Sequence, residues 1–246
     1  MRIRSVNTSL RKTVLLYRRI ARHKGYGVHS PFVYGLITKV INERCPYYHF
    51  AGIEALRKQL PVQKETAGIV ASRAISPKQG ALLFRLANYF RPERILQIGA
   101  SAGLSTLYLT SYKPGVKCIV LEKTPEQASV ARWVYRQTAA RTPVDLRTGD
   151  YRTLLPGILE EMPAVDFVFF NTREETDNAS LFDACMKYAQ AGAFFVFDGI
   201  KSNRAMREFW KTVCAHPEVT VTLDLYSMGI VFFSKKLHKR NYKVYF

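Results

Sequence analysis

The chain has 246 residues, of which 48% are hydrophobic and 23% charged, a balance typical of a folded protein with a full core. It holds no run of about 18 apolar residues, so no transmembrane helix is predicted. The run Val14–Tyr17 is too short for the core of a signal peptide. The four cysteines lie far apart, which predicts reduced thiols rather than a disulfide framework or a zinc site. We therefore expect a cytoplasmic protein.

The charge is strongly positive and is concentrated toward the two ends. The net charge is +18, and residues 1–42 hold nine Lys and Arg residues without one acidic residue. Five more Lys and Arg residues, again without an acidic residue, follow Asp224. Such stretches attract anions, so we expect a small-molecule or anionic substrate. RNA and acidic membrane surfaces are further candidate partners of residues 1–42 and 235–243, and solubility alone also explains the excess.

Residues 1–75 are predicted to form a basic helical extension that lies over the rest of the chain as a lid. The apolar residues of its first helix recur at the spacing of one helix face: Leu10, Val14, Tyr17 and Ala21. Ser30 and Pro31 are typical of an N-cap and a first helical position, so a second helix starts there. Residues 51–60 predict a third helix.

Residues 76–246 alternate strands and helices in a regular order. The capping boxes Ser76–Gln79 and Thr124–Gln127 predict two helix starts. The predicted strands are 94–98, 116–121, 144–147, 165–170, 193–197, 219–225 and 230–234. The five strand–helix alternations predict a mostly parallel sheet with helices on both faces, and the last two strands predict an antiparallel pair. The fold class is therefore α/β, with seven strands.

Ligands of open α/β sheets bind beyond the carboxyl ends of the strands, so the residues there are the candidate binding residues. The segment Gln97–Gly103, with the sequence QIGASAG, follows the first strand, and its glycines let the backbone approach a ligand. Glu122 follows the second strand, where a carboxylate accepts both hydroxyls of a ribose. The later strand ends carry Gly149, Asp150 and Tyr151, then Asn171, and then Asp198 and Gly199.

This ordered set resembles the class I S-adenosylmethionine-dependent methyltransferases, especially the small O-methyltransferases of the catechol type, over about residues 76–246. That family has a Rossmann-like sheet of seven strands in the order 3-2-1-4-5-7-6, with the last strand antiparallel. The resemblance implies S-adenosyl-L-methionine as the cofactor. It implies these cofactor-binding residues: Gln97, Gly99, Ala100, Ser101, Gly103, Glu122, Lys123, Gly149, Asp150, Tyr151 and Asn171.

The resemblance also implies how the cofactor is divided among these residues. Gly99 and Gly103 line its methionine end, Glu122 holds its ribose, and Asp150 holds its adenine amino group. Related small O-methyltransferases are often dimers, so a homodimer is expected. The strand ends leave open a different nucleotide-binding function on the same topology.

Two further segments are similar to an uncharacterised group of bacterial methyltransferases common in Bacteroidota. They are Gly25–Phe32 and the tail Lys243–Phe246. This similarity names no substrate.

Three positions depart from the family pattern. Gln97 stands where the family has an acidic residue, and Asn171 and Gly199 stand where metal-dependent members have metal ligands. Because Mg²⁺ prefers carboxylate oxygens and only Asp198 supplies them, no catalytic metal is predicted. The same losses leave the cofactor's ammonium group poorly compensated. They favour, as the alternative, a degenerate methyltransferase-like protein that binds RNA or an anionic membrane through its basic termini.

The candidate catalytic residues are His29, Asp198 and Lys201. Histidine exchanges a proton near neutral pH, so His29 is a candidate general base, although the helix start at Ser30 also explains its place. Lys201 follows Asp198 closely and is placed to face the transferred methyl group, but a solvated loop lysine is the alternative. The sequence therefore predicts metal-independent methyl transfer to an unidentified oxygen or nitrogen nucleophile.

Overall fold

The computed structural model describes residues 12–14, 16–18, 20, 25, 27–60, 68, 74–137, 143–173 and 177–246. The main α-helices of this part are α1 (Pro31–Leu36), α2 (Tyr48–Gln59), α3 (Pro77–Phe90), α4 (Leu104–Thr110), α5 (Pro125–Arg136), α6 (Tyr151–Glu161), α7 (Asn178–Met186) and α8 (Arg204–Ala215). A π-helix, Ile37–Ile41, directly follows α1. The strands of this part are β1 (Arg94–Ile98), β2 (Lys117–Glu122), β3 (Val144–Thr148), β4 (Val165–Phe170), β5 (Ala189–Asp198), β6 (Val221–Asp224), β7 (Met228–Phe232) and β8 (Arg240–Lys243). None of these helices has the length and apolar character needed to cross a membrane.

The strands form one sheet in the order β3-β2-β1-β4-β5-β7-β6-β8. Strand β7 runs antiparallel to β5 and β6, and the other pairs are parallel, which confirms the predicted mostly parallel sheet with its antiparallel seventh strand. The register pairs Ile98 with Leu121 on one side and with Phe170 on the other. The residues that follow β1, β2 and β4 therefore lie side by side at one edge.

The predicted strand count is one too low, because β8 pairs in parallel with β6 at the edge of the sheet. Its sequence, RNYK, is short and polar and has no alternation of apolar residues that would predict a strand. Charged side chains on an edge strand discourage pairing with a further chain. The position of β8 is thus set by its neighbour β6 rather than by its own composition.

Both faces of the sheet are covered, as the apolar strands β4 and β5 predict. Phe169 and Val196 belong to one buried apolar cluster, and Phe170 and Phe197 belong to the other. Apolar residues of α1 and α2 join the first cluster, so these helices share a core with the sheet.

Two of the predicted helix starts show the expected side-chain bonds. The Ser30 hydroxyl accepts a bond from the backbone N–H of Val33 and caps α1. Ser76 and Gln79 form the predicted capping box at the start of α3. The division into an extension of residues 1–75 and a domain of residues 76–246 stays a prediction.

The N-terminal helical residues do not present the predicted apolar face to the core. Tyr17 is 62% exposed, whereas Arg18 is only 3% exposed. The guanidinium of Arg18 donates to both carboxylate oxygens of Asp224, at 3.0 Å each, and to the Asp224 carbonyl at 2.9 Å. The bonds of Arg18 to Asp224, at the end of β6, turn the Arg18 side of the helix toward the core. Two residues of the predicted apolar face, Leu10 and Ala21, lie outside the described residues. This terminal arginine is therefore unavailable to an external partner.

We expect the Arg18–Asp224 pair to stabilise the fold. Burial acts to raise the pKa of Asp224, but bonds from Arg18 and Lys201 outweigh it and hold the pKa below its ordinary value of 3.8. Asp224→Asn leaves Arg18 buried without a counter-charge and should lower the free energy of unfolding by about 3 kcal/mol at neutral pH. Urea unfolding followed by circular dichroism measures this difference.

The pH dependence of the same experiment supplies a second check. A lowered carboxyl pKa contributes stability above its ordinary value, and this contribution is lost as pH falls through the pKa of the folded state. The difference in unfolding free energy between the wild type and Asp224→Asn should therefore decrease as the pH becomes acidic. The control is Glu161→Gln, which removes one of the two carboxylate partners of the partly exposed Arg147 and should change stability little. Equal unfolding free energies for wild type and Asp224→Asn at neutral pH would contradict the assignment.

Candidate functional site

The candidate site lies at the carboxyl edge of the five parallel strands β1 to β5, where backbone bonds continue beyond the strands. The N–H of Gly99 donates to the Leu121 carbonyl at 2.8 Å, and the N–H of Asn171 donates to the Ile98 carbonyl at 2.8 Å. The N–H of Gly149 donates to the Glu122 carbonyl at 2.9 Å. These bonds hold the predicted strand-end residues in adjacent positions.

The turn after β1 needs glycine at two positions. Gly99 has a φ of +89°, and a Cβ there would lie 2.4 Å from the Asn171 carbonyl oxygen. Gly103 has a φ of +77°, and a Cβ there would lie 3.1 Å from Cα of Ala131 on α5. The positive φ disfavours a side chain at both positions, and at Gly99 the Asn171 backbone also leaves no space for one.

The Glu122 carboxylate holds this turn in place. Its Oε2 accepts bonds from the N–H groups of Ala100 and Ser101, at 2.9 and 3.0 Å. Its Oε1 accepts bonds from the N–H and the hydroxyl of Thr124, at 3.1 and 3.3 Å. Four donors therefore occupy the acceptor sites of a carboxylate that is only 2% exposed. Glu122, Ala100 and Ser101, predicted separately, are thus brought together.

The predicted capping box at Thr124 is wrong. Thr124 is the N-cap residue of α5, but its side chain makes no capping bond. The Thr124 hydroxyl donates instead to the Glu122 carboxylate. A hydrogen bond to a charged carboxylate is stronger than a bond between a neutral hydroxyl and a backbone N–H.

Gln97 lies beneath the turn, with no exposed surface. Its amide nitrogen donates to the Gly99 carbonyl at 2.8 Å and to the Ser105 hydroxyl at 2.9 Å, and its oxygen accepts from the Thr106 hydroxyl at 2.9 Å. A carboxylate in this place cannot donate to the Gly99 carbonyl. The amide is therefore required by the local bonding, and it supports the turn from below.

Among the residues after β3, Asp150 faces solvent, whereas Tyr151 packs in the core. Asp150 caps α6 by accepting from the N–H of Arg152 at 3.0 Å, and Lys123 Nζ lies 3.5 Å from its other oxygen. The Asp150 and Lys123 side chains are about half exposed. Tyr151 is 7% exposed and packs in the second apolar cluster. A ligand at this strand end is thus offered Asp150 and Lys123 rather than the Tyr151 ring.

Asp198, at the end of β5, is fully buried and is bound by two side chains that the sequence did not suggest. Gln79 of α3 donates to its Oδ1 at 2.9 Å. Arg173 donates to its Oδ2 through Nε at 2.6 Å and through Nη2. Burial raises the pKa of Asp198, while the Arg173 guanidinium acts in the opposite direction.

The position of Arg173 depends on two small features nearby. Asn203, the N-cap of α8, donates from its amide to the Arg173 carbonyl at 2.7 Å. A Cβ on Gly199 would lie 2.7 Å from Arg173 Cγ, so only glycine leaves room for the guanidinium. The signal in the sequence is that Arg173 stands three residues after β4, among the strand ends.

The donor set of this edge does not fit a divalent metal ion. Both oxygens of Asp198 are engaged, and the guanidinium beside them would repel a second cation. The neighbouring position 199 has no side chain, and the described residues contain no group of three or more His, Cys, Asp or Glu side chains suited to a metal. Asn171 offers only an amide, whose Nδ2 is buried without a partner among the described residues.

The three candidate catalytic residues do not form one cluster. His29 is exposed, just before the cap of α1. Lys201 pairs with Asp224, at 2.9 Å, whereas Asp198 pairs with Arg173. The contacts of the described residues therefore separate Lys201 from Asp198, and they give His29 no link to either.

Comparisons with known proteins relate this chain to O-methyltransferases. A family model described as O-methyltransferase matches residues 48–218. A catechol O-methyltransferase of Niastella koreensis is 27% identical over 128 residues, which are 52% of this chain and 58% of that protein. The matched part of this chain therefore spans less than two thirds of that relative.

Two solved structures share the fold at low sequence identity. An O-methyltransferase from Bacillus cereus in complex with SAH covers 80% of this chain and 94% of its own, with 20% identity and a TM-score of 0.55. The O-methyltransferase TomG from Streptomyces achromogenes, in complex with SAM, covers 82% and 95%, with 18% identity and a TM-score of 0.58.

These relatives give no support to RNA or membrane binding through the basic termini, and the homodimer stays a prediction. The family model spans the strands β1 to β5 and the residues that follow them. The protein belongs to the O-methyltransferase family.

Proposed function

We propose that this protein transfers a methyl group from S-adenosyl-L-methionine to an oxygen of a small-molecule acceptor, without a catalytic metal ion. The family match supports the oxygen nucleophile, and solved relatives bound to SAH or SAM support the cofactor. The observation that supports methyl transfer without a metal ion is the bonding of the Arg173 guanidinium to the buried carboxylate of Asp198. It places a fixed positive charge between the ends of β4 and β5.

The cofactor is proposed to lie along the strand ends from Asn171 to Asp150. The turn at Gly99 and the buried amide of Asn171 would hold its methionine end, Glu122 its ribose, and Asp150 its adenine amino group. Because four protein donors already fill the Glu122 carboxylate, the ribose hydroxyls must replace at least one of them. Binding is therefore coupled to a small rearrangement of the turn or of Thr124.

S-adenosyl-L-methionine, when bound, supplies a methyl group on a positively charged sulfur. The chain's part is to hold an acceptor oxygen in line with that methyl group, and such positioning supplies much of the rate. The acceptor oxygen gains the methyl group and loses its proton to water or to another base, because a guanidinium cannot accept a proton.

Arg173 is proposed to bind the acceptor oxygen and to stabilise the negative charge that remains when its proton leaves, before methyl transfer consumes that charge. A guanidinium carries five N–H donors, of which Nε and one on Nη2 face Asp198, so others remain for an acceptor. The side chain of Arg173 is one third exposed, while that of Asp198 is 1% exposed. The buried carboxylate thus positions the arginine, and the arginine takes the place of a divalent cation in neutralising the acceptor.

The cofactor assignment predicts that Glu122→Ala weakens binding of S-adenosylhomocysteine by about tenfold or more, since a charged hydrogen-bond acceptor is lost. Isothermal titration calorimetry of the purified protein measures the affinity. Glu122→Gln, which keeps the size of the side chain, should also bind more weakly.

The matched control is Glu126→Gln, an exposed glutamate in the first turn of α5. It should bind like the wild type. A well-folded wild type that binds neither S-adenosylmethionine nor S-adenosylhomocysteine would refute the assignment, as would an equal loss in the control.

The role of Arg173 predicts that Arg173→Gln slows turnover about 100-fold, since the fixed donor that favours the deprotonated acceptor oxygen is lost. Its affinity for S-adenosylhomocysteine should stay unchanged. The turnover of Arg173→Lys should lie between that of the wild type and that of Arg173→Gln, because an ammonium is a point charge without the planar pair of donors. The assay follows formation of S-adenosylhomocysteine with catechol and with hydroxylated aromatic acids as trial acceptors.

Two treatments separate this role from a metal-dependent one. Wild-type turnover should be insensitive to EDTA and should not increase with Mg²⁺. Arg132→Gln, a change to an exposed arginine of α5, is the control and should leave turnover unaltered. Loss of turnover in EDTA with recovery in Mg²⁺ would overturn the proposal.

A further inference from the structure

A cleft separate from the strand-end site lies between helix α8 and the strands β6 and β8. Its volume is about 500 Å³. One wall is α8, the end is the loop that carries Lys201, and the floor is formed by β6 and the edge strand β8. Strand β8 extends the sheet beyond β6 on the side away from β7, so the strand missing from the seven-stranded prediction builds one side of this cleft.

The register of β6 and β8 directs alternate side chains toward α8. Thr222 is paired with Asn241, and its hydroxyl donates to the Asn241 amide oxygen at 2.8 Å. Cys214 of α8 lies 3.8 Å from the same hydroxyl, which places this face of the strands against the helix. Asp224 and Lys243, two residues further along each strand, lie on the same face.

The cleft has an excess of positive charge. Lys201, Arg207, Lys211 and Lys243 line it and come from the loop, the helix and β8. The carboxylate that lines it, Asp224, is already matched by the buried Arg18 as well as by Lys201. Lys211 also contacts Glu208, but both of those side chains are largely exposed, so that pair is weak.

Apolar side chains also contribute to the lining, with Trp210 at its surface and Ile200 behind it. Trp210 is 7% exposed and packs over Gly229 of β7, where an added Cβ would come within 2.5 Å of the indole ring. Ile200 has no exposed surface. Desolvation lowers the pKa of Lys201, although Asp224 opposes this, so at least one of the cations faces a partly dry space.

Charge, shape and volume together define a ligand class. A volume of this size suits a small molecule, and the cleft opens to solvent between a helix and a sheet face. Convergent cations select an anion, and the fixed indole selects an apolar or aromatic body. We propose that the cleft binds a small organic anion, a carboxylate or phosphate carried on an apolar group. This inference does not depend on the proposed methyl transfer.

The probe for this site is phenyl phosphate, with Trp210 as the reporter. The chain has two tryptophans, so Trp133→Phe leaves Trp210 as the sole emitter. Phenyl phosphate should change its fluorescence saturably in the micromolar to millimolar range, and the affinity should fall with added salt. Benzoate should behave similarly, whereas inorganic phosphate and the uncharged benzyl alcohol should bind much more weakly.

Charge reversals in the cleft test the assignment of the cations. Arg207→Glu and Lys243→Glu should each weaken phenyl phosphate binding about tenfold or more. Lys58→Glu changes the net charge equally but lies on the exposed side of α2, and it should bind like the parent. All of these variants should retain the parent affinity for S-adenosylhomocysteine, which also shows that they are folded.

Three outcomes would overturn the proposal. They are no saturable response to phenyl phosphate, an equal loss in Lys58→Glu, and inorganic phosphate or benzyl alcohol binding as tightly as phenyl phosphate. Competition between phenyl phosphate and S-adenosylhomocysteine would place the anion in the strand-end site instead, and would equally refute a separate site.

Discussion

The buried carboxylate of Asp198 is the constraint around which the site is organised. A charge without exposed surface costs several kcal/mol unless it is paired and hydrogen-bonded, so its partners are fixed. Gln79 brings the start of α3 to the end of β5, and Arg173 brings the segment after β4 to the same point. Asn203 then fixes the start of α8 to the backbone of Arg173. One charge thus holds four elements at the edge where a ligand would bind.

The parts of the fold that were predictable from the sequence are those whose signals are local. The strand Val165–Phe170 is apolar throughout because both of its faces are covered, and its bounds follow from the sequence. The order of the strand-end residues follows from the alternation of strands and helices. Gly99 was recognisable as a turn glycine, although only the structure shows that the Asn171 carbonyl is what excludes a side chain there.

The parts that were not predictable depend on contacts between distant residues. The sequence predicts Gln79 as a capping residue, and the structure confirms it. Its amide nitrogen also donates to Asp198, 119 residues away, which no local pattern predicts. The cofactor-binding role of Gln97 stays a prediction, and nothing in a sequence shows that its amide donates to the Gly99 carbonyl. Strand β8 has no apolar alternation, and Arg18 follows no pattern that predicts a buried arginine. In each case the partner, rather than the residue type, decides the role.

The Arg18–Asp224 pair also sets an order on the biosynthesis of the protein. The two residues are 206 positions apart, so the guanidinium leaves the ribosome long before its carboxylate exists. At about 5–20 residues per second, the delay is on the order of 10–40 s. During that time Arg18 lacks the carboxylate that it binds in the folded protein. Strand β6, which is translated much later, therefore completes the burial of Arg18.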